Sequence, residues 1–392
     1  MKAVVLGRNY TSLLGMIRAA GRAGCQVTAI RTTGGGKPEG APVEAASRYC
    51  TAHHYVKQDR EAVVRLLLEK CVQPGEKTLL LPVDDFVAST IDLNQERLAE
   101  HFLFPHIRHT PGEIVRLMDK NLQKELARKA GLNVASGWVI DIRGGKYALP
   151  EGIAYPCFPK PEISFLGNKR YMRRCDSEQE LRAVADEVAR QGDCPLLVEQ
   201  YIRIEKEYAI LGFADGERVV VPDLIHMLRD GSGPHRGVTM VGEISPLDPE
   251  ADYTRGIERF MGSLGFTGLF DIDLYESGGV MYFNELNLRF GASGYAVTAS
   301  GVNLPALLIA ALTGGEAPKA QPEIPAARFV NEKVASDDRF GGYITRDEEK
   351  RMAAQAQIRF IRDPEDPAPE KAFRRNVRLN DFKRLAKKLL RR

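Results

Sequence analysis

The stretch that decides the fold is Tyr282-Phe283-Asn284-Glu285-Leu286-Asn287-Leu288-Arg289, read together with Phe270-Asp271-Ile272-Asp273-Leu274 just before it. Both are β-runs, joined by a turn at Glu276-Ser277-Gly278-Gly279. Alternate residues of a strand share a face, so Glu285 and Asn287 point one way and Asp273 on the partner strand points there with them. Like charges side by side on a strand pair repel, which makes such a hairpin hard to explain without a cation. Magnesium takes oxygen ligands, usually one or two carboxylates completed by substrate phosphates. The hairpin therefore predicts a metal–nucleotide site with Asp273, Glu285 and Asn287 as ligands. Asp271, on the same face as Asp273, is the alternative. Arg289 follows Asn287 by two and stays on that face, where its planar fork suits a carboxylate or phosphoryl group.

Outside the hairpin, the chain is that of an ordinary globular protein. Its 392 residues suffice for two or three domains, and 44% are hydrophobic. Lys and Arg number 55 against 52 Asp and Glu, a net charge of +3 that gives no reason to expect a nucleic-acid partner. The six cysteines are scattered without a C-x-x-C pair, which argues against a zinc ribbon or redox dithiol and fits reduced thiols in a cytoplasmic setting. No apolar run approaches the roughly 20 residues of a membrane span. Met1 leads directly into a strand, with no secretory signal visible.

The N-terminal segment alternates strand and helix: Lys2–Gly7, a helical pattern over Ser12–Ala23, Gln26–Ile30, a helix over Glu61–Cys71, and the strand Thr78–Val83 followed by Asp84-Asp85. That is a Rossmann-like α/β unit. Its first turn, Gly7-Arg8-Asn9-Tyr10-Thr11-Ser12, lacks the G-x-G-x-x-G pattern, so dinucleotide binding is disfavoured. Thr110-Pro111-Gly112-Glu113 reads as a capping box opening a helix that runs past Asp119-Lys120 to Lys129. Strands are expected at Tyr155–Pro161, Leu196–Gln200, Tyr208–Phe213 and Arg218–Pro222, and helices at Glu178–Gln191, Tyr253–Leu264 and Asn303–Leu312. Lys160 sits inside an apolar strand, where burial is costly unless an anion meets it. Arg374–Arg392 holds nine Lys/Arg and an apolar stripe of Phe382, Leu385, Leu389 and Leu390. It reads as a docked helix, with weak contact to an anionic membrane as the alternative.

Taken in order, these motifs resemble the ATP-grasp superfamily over about residues 75 to 315, and most of all its carboxylate–amine ligases related to D-aspartate ligase and the carbamoyl-phosphate synthase large chain. The resemblance implies a mixed α/β fold with α+β lobes. A Rossmann-like domain (1–108) would be followed by a small lobe with linking helices (109–195), a large lobe carrying the metal site (196–335), and a polar, basic extension (336–392). It implies ATP and one or two Mg²⁺, with Mn²⁺ as a substitute. Lys120 and Lys160 would contact phosphates, and the Glu162–Lys169 loop, through Ser164 and Gly167, would cover them. Glu199, Gln200, Tyr201 and Ile202 would form the adenine hinge. Glu207 would bind the ribose, with Glu205 as competitor. Asp273, Glu285 and Asn287 would hold the metal. Arg289, with Lys160, would serve the chemistry and orient the substrate carboxylate, and His235, Arg236 and Ser293 would contact substrate.

The implied activity is ATP-dependent ligation of a small-molecule carboxylate to an amine through an acyl-phosphate. An ATP-grasp kinase, an acid–thiol ligase and a non-catalytic nucleotide-binding protein remain open. The sequence identifies neither substrate, and a homodimer is compatible with the resemblance.

Overall fold

The computed structural model describes residues 1–36, 40–161, 171–316 and 326–389; for Pro161 and 385–389 it describes the backbone alone. The N-terminal α/β unit is a five-stranded parallel sheet of β1 (Lys2–Gly7), β2 (Gln26–Thr33), β3 (Cys50–Lys57), β4 (Thr78–Pro82) and β5 (Phe102–Leu103), in the order β3-β2-β1-β4-β5. β3 went unread in the sequence because its histidines and exposed positions mask the strand pattern. The first helix, Tyr10–Arg22, begins two residues before the apolar spacing predicts. Its start is set by Asn9, whose side chain accepts from the Thr11 N–H at 3.0 Å.

The residues after this sheet form two further sheets. β8 (Gly137–Ile140), β10 (Leu196–Gln200) and β9 (Cys157–Pro161) make a small antiparallel sheet with β10 in the middle. The division expected at residue 195 therefore falls instead after Gln200. The large sheet runs β18-β17-β14-β13-β11-β15-β16-β7, with β12 (Val219–Val220) on β11 and β6 (His106–Ile107) on β15. Its strands are β7 (Asn133–Val134), β11 (Lys206–Asp215), β13 (Asp223–Asp230), β14 (Thr239–Pro246), β15 (Phe266–Ser277), β16 (Val280–Asn287), β17 (Ala327–Val330) and β18 (Ile358–Arg359). β15 and β16 are the expected hairpin. They close through Gly278 and Gly279, both at positive φ (57° and 75°), the backbone a two-residue hairpin turn demands.

One hydrophobic core joins the N-terminal sheet to the large sheet, from Val5, Leu13 and Ile17 to Leu211, Phe213, Phe290 and Phe329. A second lies under β15 and β16, where Phe260 meets Phe283 edge to face at 5.4 Å.

One expectation is corrected here. The helix read as continuous from Thr110 to Lys129 is broken. A single turn, Glu113–Arg116, starts after Gly112 at φ 85°, with no side-chain cap from Thr110. The helix Lys120–Lys129 then starts afresh with Asp119 as its cap, accepting from the Leu122 N–H at 2.9 Å. Residues 336–392, expected as a polar, basic extension, join the body of the fold. β18 pairs with β17 inside the large sheet, and the segment after it wraps onto the N-terminal unit. There Arg18, fully buried, donates from Nε to Asp366 Oδ2 (2.9 Å) and from its two terminal nitrogens to the carbonyls of Phe360 (2.9 Å) and Ile361 (2.8 Å). The helix Ala368–Leu389 packs Ala372 and Phe373 beside Tyr10 and Leu14. Asn376 clamps both backbone groups of Ala41 at 2.9 and 2.8 Å. Farther along, Leu379 and Phe382 are 43% and 68% exposed. No helix among the described residues is long and apolar enough to cross a membrane.

Candidate functional site

β15 and β16 pair Asp273 directly opposite Glu285 and Asp271 opposite Asn287, the register on which the predicted cluster depends. A bulge just beyond Asp273 leaves Asn284 without a partner on β15. In a bulge the local alternation fails, and Asn284 and Glu285 both line the same cleft. Burial, then the neighbouring Asp271 and Glu285, push the Asp273 carboxyl well above the usual carboxylate range. Burial also raises Asp271, against the pull of Arg289. Arg289 Nη1 donates to Asp271 Oδ2 at 2.8 Å, and its Nε lies 3.3 Å from Asp85 Oδ1, so the end of β4 meets the hairpin here. A Cβ on Gly291 would collide with the Asp271 carboxylate, so only glycine admits this approach.

The helix Lys120–Lys129 is fastened to the hairpin by an amide. On its outer side β16 is paired by β7 only at Tyr282 and Phe283. Gln123, buried, supplies the missing partners at Leu286: its Nε2 donates to the Leu286 carbonyl at 2.8 Å and its Oε1 accepts from the Leu286 N–H at 2.9 Å. Gln123→Leu would strand both groups of a buried residue. It should destabilise the fold by about 2–4 kcal/mol, from two unsatisfied backbone groups at roughly 1–3 kcal/mol each with partial relaxation, read as a lower urea midpoint at unchanged slope.

The same helix delivers Lys120 and, one turn on, Lys124. Lys120 Nζ lies 3.3 Å from Glu285 Oε2. Lys124 meets Glu199 Oε1, while Lys160 from β9 meets Glu199 Oε2 at 2.8 Å and reaches Asn284 Oδ1 at 3.4 Å. Across β9 and β10, Leu197 faces Lys160 and Glu199 faces Phe158, which puts Lys160 and Glu199 on one face, diagonally adjacent. Burial and the other two lysines push Lys160 well below the ordinary lysine range. Burial is the largest cause bringing Lys124 down to about 8.

These groups line a cleft of 790 Å³ between the small and large sheets. Of the residues singled out from sequence, Lys120, Lys160, Glu199, Gln200, Tyr201, Ile202, Glu207, Asp273, Glu285, Arg289, Arg236 and Ser293 line it. The Gln200 and Tyr201 N–H groups are already spent on the carbonyls of Ser136 (2.8 Å) and Pro156 (2.9 Å). Gln200 therefore has no N–H to offer a base. The Ile202 N–H has no protein acceptor among the described residues. Glu207 lies in the cleft, its carboxyl raised by burial and by Asp230. Its competitor Glu205 instead accepts from the Gly278 N–H at 3.2 Å at the hairpin tip.

Two residues sit apart. Asn287 lines a smaller adjoining pocket with Asp85 and Gln123. His235, expected at the substrate, pairs through Nε2 with Asp337 at 3.2 Å. The short turn Gly233–His235 rotates it toward the helix Glu332–Gly341, while Arg236 takes the cleft side. Ser164 and Gly167 lie outside the described residues. Sequence reading missed Gln123, Lys124 and Asn284, while Asp85 was marked only by its place past the end of a parallel strand. Of the three, only Lys124, one helical turn beyond Lys120, carried a usable signal.

The chemistry on offer is a cleft with cations at both ends, paired carboxylates at one of them, and the Ile202 N–H just beyond the strand Leu196–Gln200. Asp271 Oδ1 is buried without a partner, as an oxygen awaiting a cation would be. Among the described residues, no three His, Cys, Asp or Glu side chains are arranged to hold a cation alone.

No family model matches the chain. It is similar to formate-dependent phosphoribosylglycinamide formyltransferase of Nitratiruptor sp., at 23% identity over 254 residues, 64% of each chain. In structure it is similar to an L-amino acid ligase from Bacillus licheniformis (TM-score 0.60, 18% identity, 83% of this chain and 79% of that one). It is similar too to the biotin carboxylase domain of Hydrogenobacter thermophilus 2-oxoglutarate carboxylase, solved with MgADP and bicarbonate (TM-score 0.61, 21% identity, 83% and 73%). The chain spans about three fifths of the length of the first curated relatives it matches. These relatives and neighbours are ATP-grasp proteins, and the sheet order, the hairpin register and the cleft agree with the ATP-grasp fold of the solved neighbours.

Proposed function

We propose that the protein is an ATP-dependent carboxylate–amine ligase that forms an amide or peptide bond through an acyl-phosphate and releases ADP and phosphate. The observation that carries this reading is the convergence in one cleft of Lys120 and Lys160, from two separate elements, with the Asp273–Glu285 pair and Arg289. The names of the similar proteins support it, one being an L-amino acid ligase and another having been solved with MgADP.

In this reading the base lies against Tyr201, with the Ile202 N–H and the Gln200 carbonyl toward its edge, and Glu207 takes the ribose hydroxyls. Lys120 and Lys160 neutralise phosphate charge, and Ser164 and Gly167 would add donors. Asp273, Glu285 and Asn287, with the orphaned Asp271 oxygen near them, suit a hard divalent ion. Bound there, Mg²⁺ or Mn²⁺ would screen the phosphate oxygens and polarise the γ-phosphorus. Arg289, steadied by Asp85 and Asp271, orients the acid so that its oxygen attacks in line. Phosphoryl transfer asks the protein chiefly for positioning and charge neutralisation. Arg236 and Ser293, at the cleft wall, contact the acid or the amine.

The test is Mg²⁺-dependent ADP release across a panel of amino acids and small carboxylic acids. Release that needs both an acid and an amine, with a new amide found by mass spectrometry, supports the ligase. Release that tracks a hydroxyl or thiol acceptor overturns it in favour of another phosphoryl chemistry. Gly291→Ala, which pushes Asp271 and hence Arg289 out of place, should lower kcat/KM for the acid by about 10²-fold, as ångström-scale misplacement does. Its melting temperature should stay close to that of the parent.

A further inference from the structure

Lys124 has no part in the roles above, yet it is buried at the heart of the cleft. Glu199 carries one ammonium on each carboxylate oxygen, Lys124 on Oε1 and Lys160 on Oε2. The three side chains are 5%, 6% and 10% exposed. A buried carboxylate stripped of its cation is strongly destabilised. So long as Glu199 depends on Lys160, drawing Lys160 toward a polyphosphate carries that penalty. A second cation already seated on the other oxygen removes it.

We infer that Lys124 is a positioning residue: it is the standby counter-ion of Glu199, which frees Lys160 to move from the hinge strand to the phosphates. Its place on the helix fits that task. Lys120, one turn earlier on the same face, points to Glu285 at the metal end, so a single helix supplies a cation to each end of the cleft. Gln123 holds the helix in register with β16, which keeps Lys124 from following Lys160. Without Lys124, Glu199 retains Lys160 and the nucleotide competes with an internal carboxylate for its own ligand. The inference rests on the nucleotide reading of the cleft.

A double-mutant cycle tests it, with MgADP and a non-hydrolysable MgATP analogue as titrants in calorimetry and melting curves as a check on folding. Lys124→Met should weaken nucleotide binding at least about tenfold, the scale of coupling expected between touching charged groups. Lys124→Arg should keep most of the affinity. In the Glu199→Gln background, where no carboxylate competes for Lys160, Lys124→Met should cost less than about threefold. Equal losses in both backgrounds would show that Lys124 merely supports the fold, and no loss in either would show that it does nothing for the ligand; each overturns the inference while leaving the nucleotide reading intact. A parent protein that binds neither titrant overturns the nucleotide reading and the inference with it.

Discussion

Glu285→Ala lowers the rate of acid- and amine-dependent ADP release by at least about 10³-fold, equivalent to roughly 4 kcal/mol of lost transition-state stabilisation, while the protein stays folded. Glu285 stands opposite Asp273, lines the cleft and lies 3.3 Å from Lys120. Its removal takes away a proposed cation ligand and leaves Lys120 without that carboxylate. Stability should not fall with activity. Burial, Asp271 and Glu285 together already disfavour the charged form of Asp273, so deleting one carboxylate relieves repulsion. The melting temperature in the absence of ligand should hold or rise slightly. Near-parental ADP release by the variant would remove Glu285 from the site. Glu285→Gln separates the ligand's charge from its shape, and should fall nearly as far as the alanine variant.

That prediction was available from the sequence because the hairpin states its geometry locally. Two runs of alternating residues and a Gly-Gly turn fix which side chains share a face, whatever surrounds them. The strand Leu196–Gln200 and Lys160 were legible from local pattern as well, as was the N-terminal α/β alternation. What did not show in the sequence depends on contacts between distant segments. Gln123 resembles any polar helical residue until β16 is seen to lack a neighbour at Leu286. His235 sits in a polar, glycine-rich loop, and only the packing of that loop against the helix Glu332–Gly341 turns it from the cleft. The break at Leu117–Asp119 was hidden because helical spacing continues across it.

The largest effect on stability should come from Arg18. On sequence it interrupts the apolar face of the first helix. In the fold it is fully buried and holds Asp366, itself fully buried, 348 residues away. Asp366 also accepts from the Ser47 hydroxyl at 2.7 Å and the Arg48 N–H at 2.8 Å, and Asp363 beside it takes Arg22 at 2.7 Å and the Tyr295 hydroxyl at 2.7 Å. Arg18→Leu leaves a buried carboxylate short of its cation and two carbonyls without donors. It should cost about 3–5 kcal/mol, the usual penalty for breaking a buried pair from one side, measured by urea unfolding. Adding Asp366→Asn should recover part of the loss, since the stranded charge is then gone. A loss below about 1 kcal/mol, the worth of a surface pair, would mean that the C-terminal wrap contributes little to the N-terminal unit.

The bulge at Asn284 gives the hairpin an unusual latitude. Side-chain direction along a strand is a matter of odd and even count, and one unpaired residue resets that count between the turn and the site. Deleting Asn284 would close the bulge and leave Glu285 opposite Asp273 and Asn287 opposite Asp271; what it would remove is the amide that meets Lys160. The hairpin can thus lose a residue at Asn284 and keep its facing carboxylates, whereas deletion of the paired Leu286 would turn Asn287 to the opposite face.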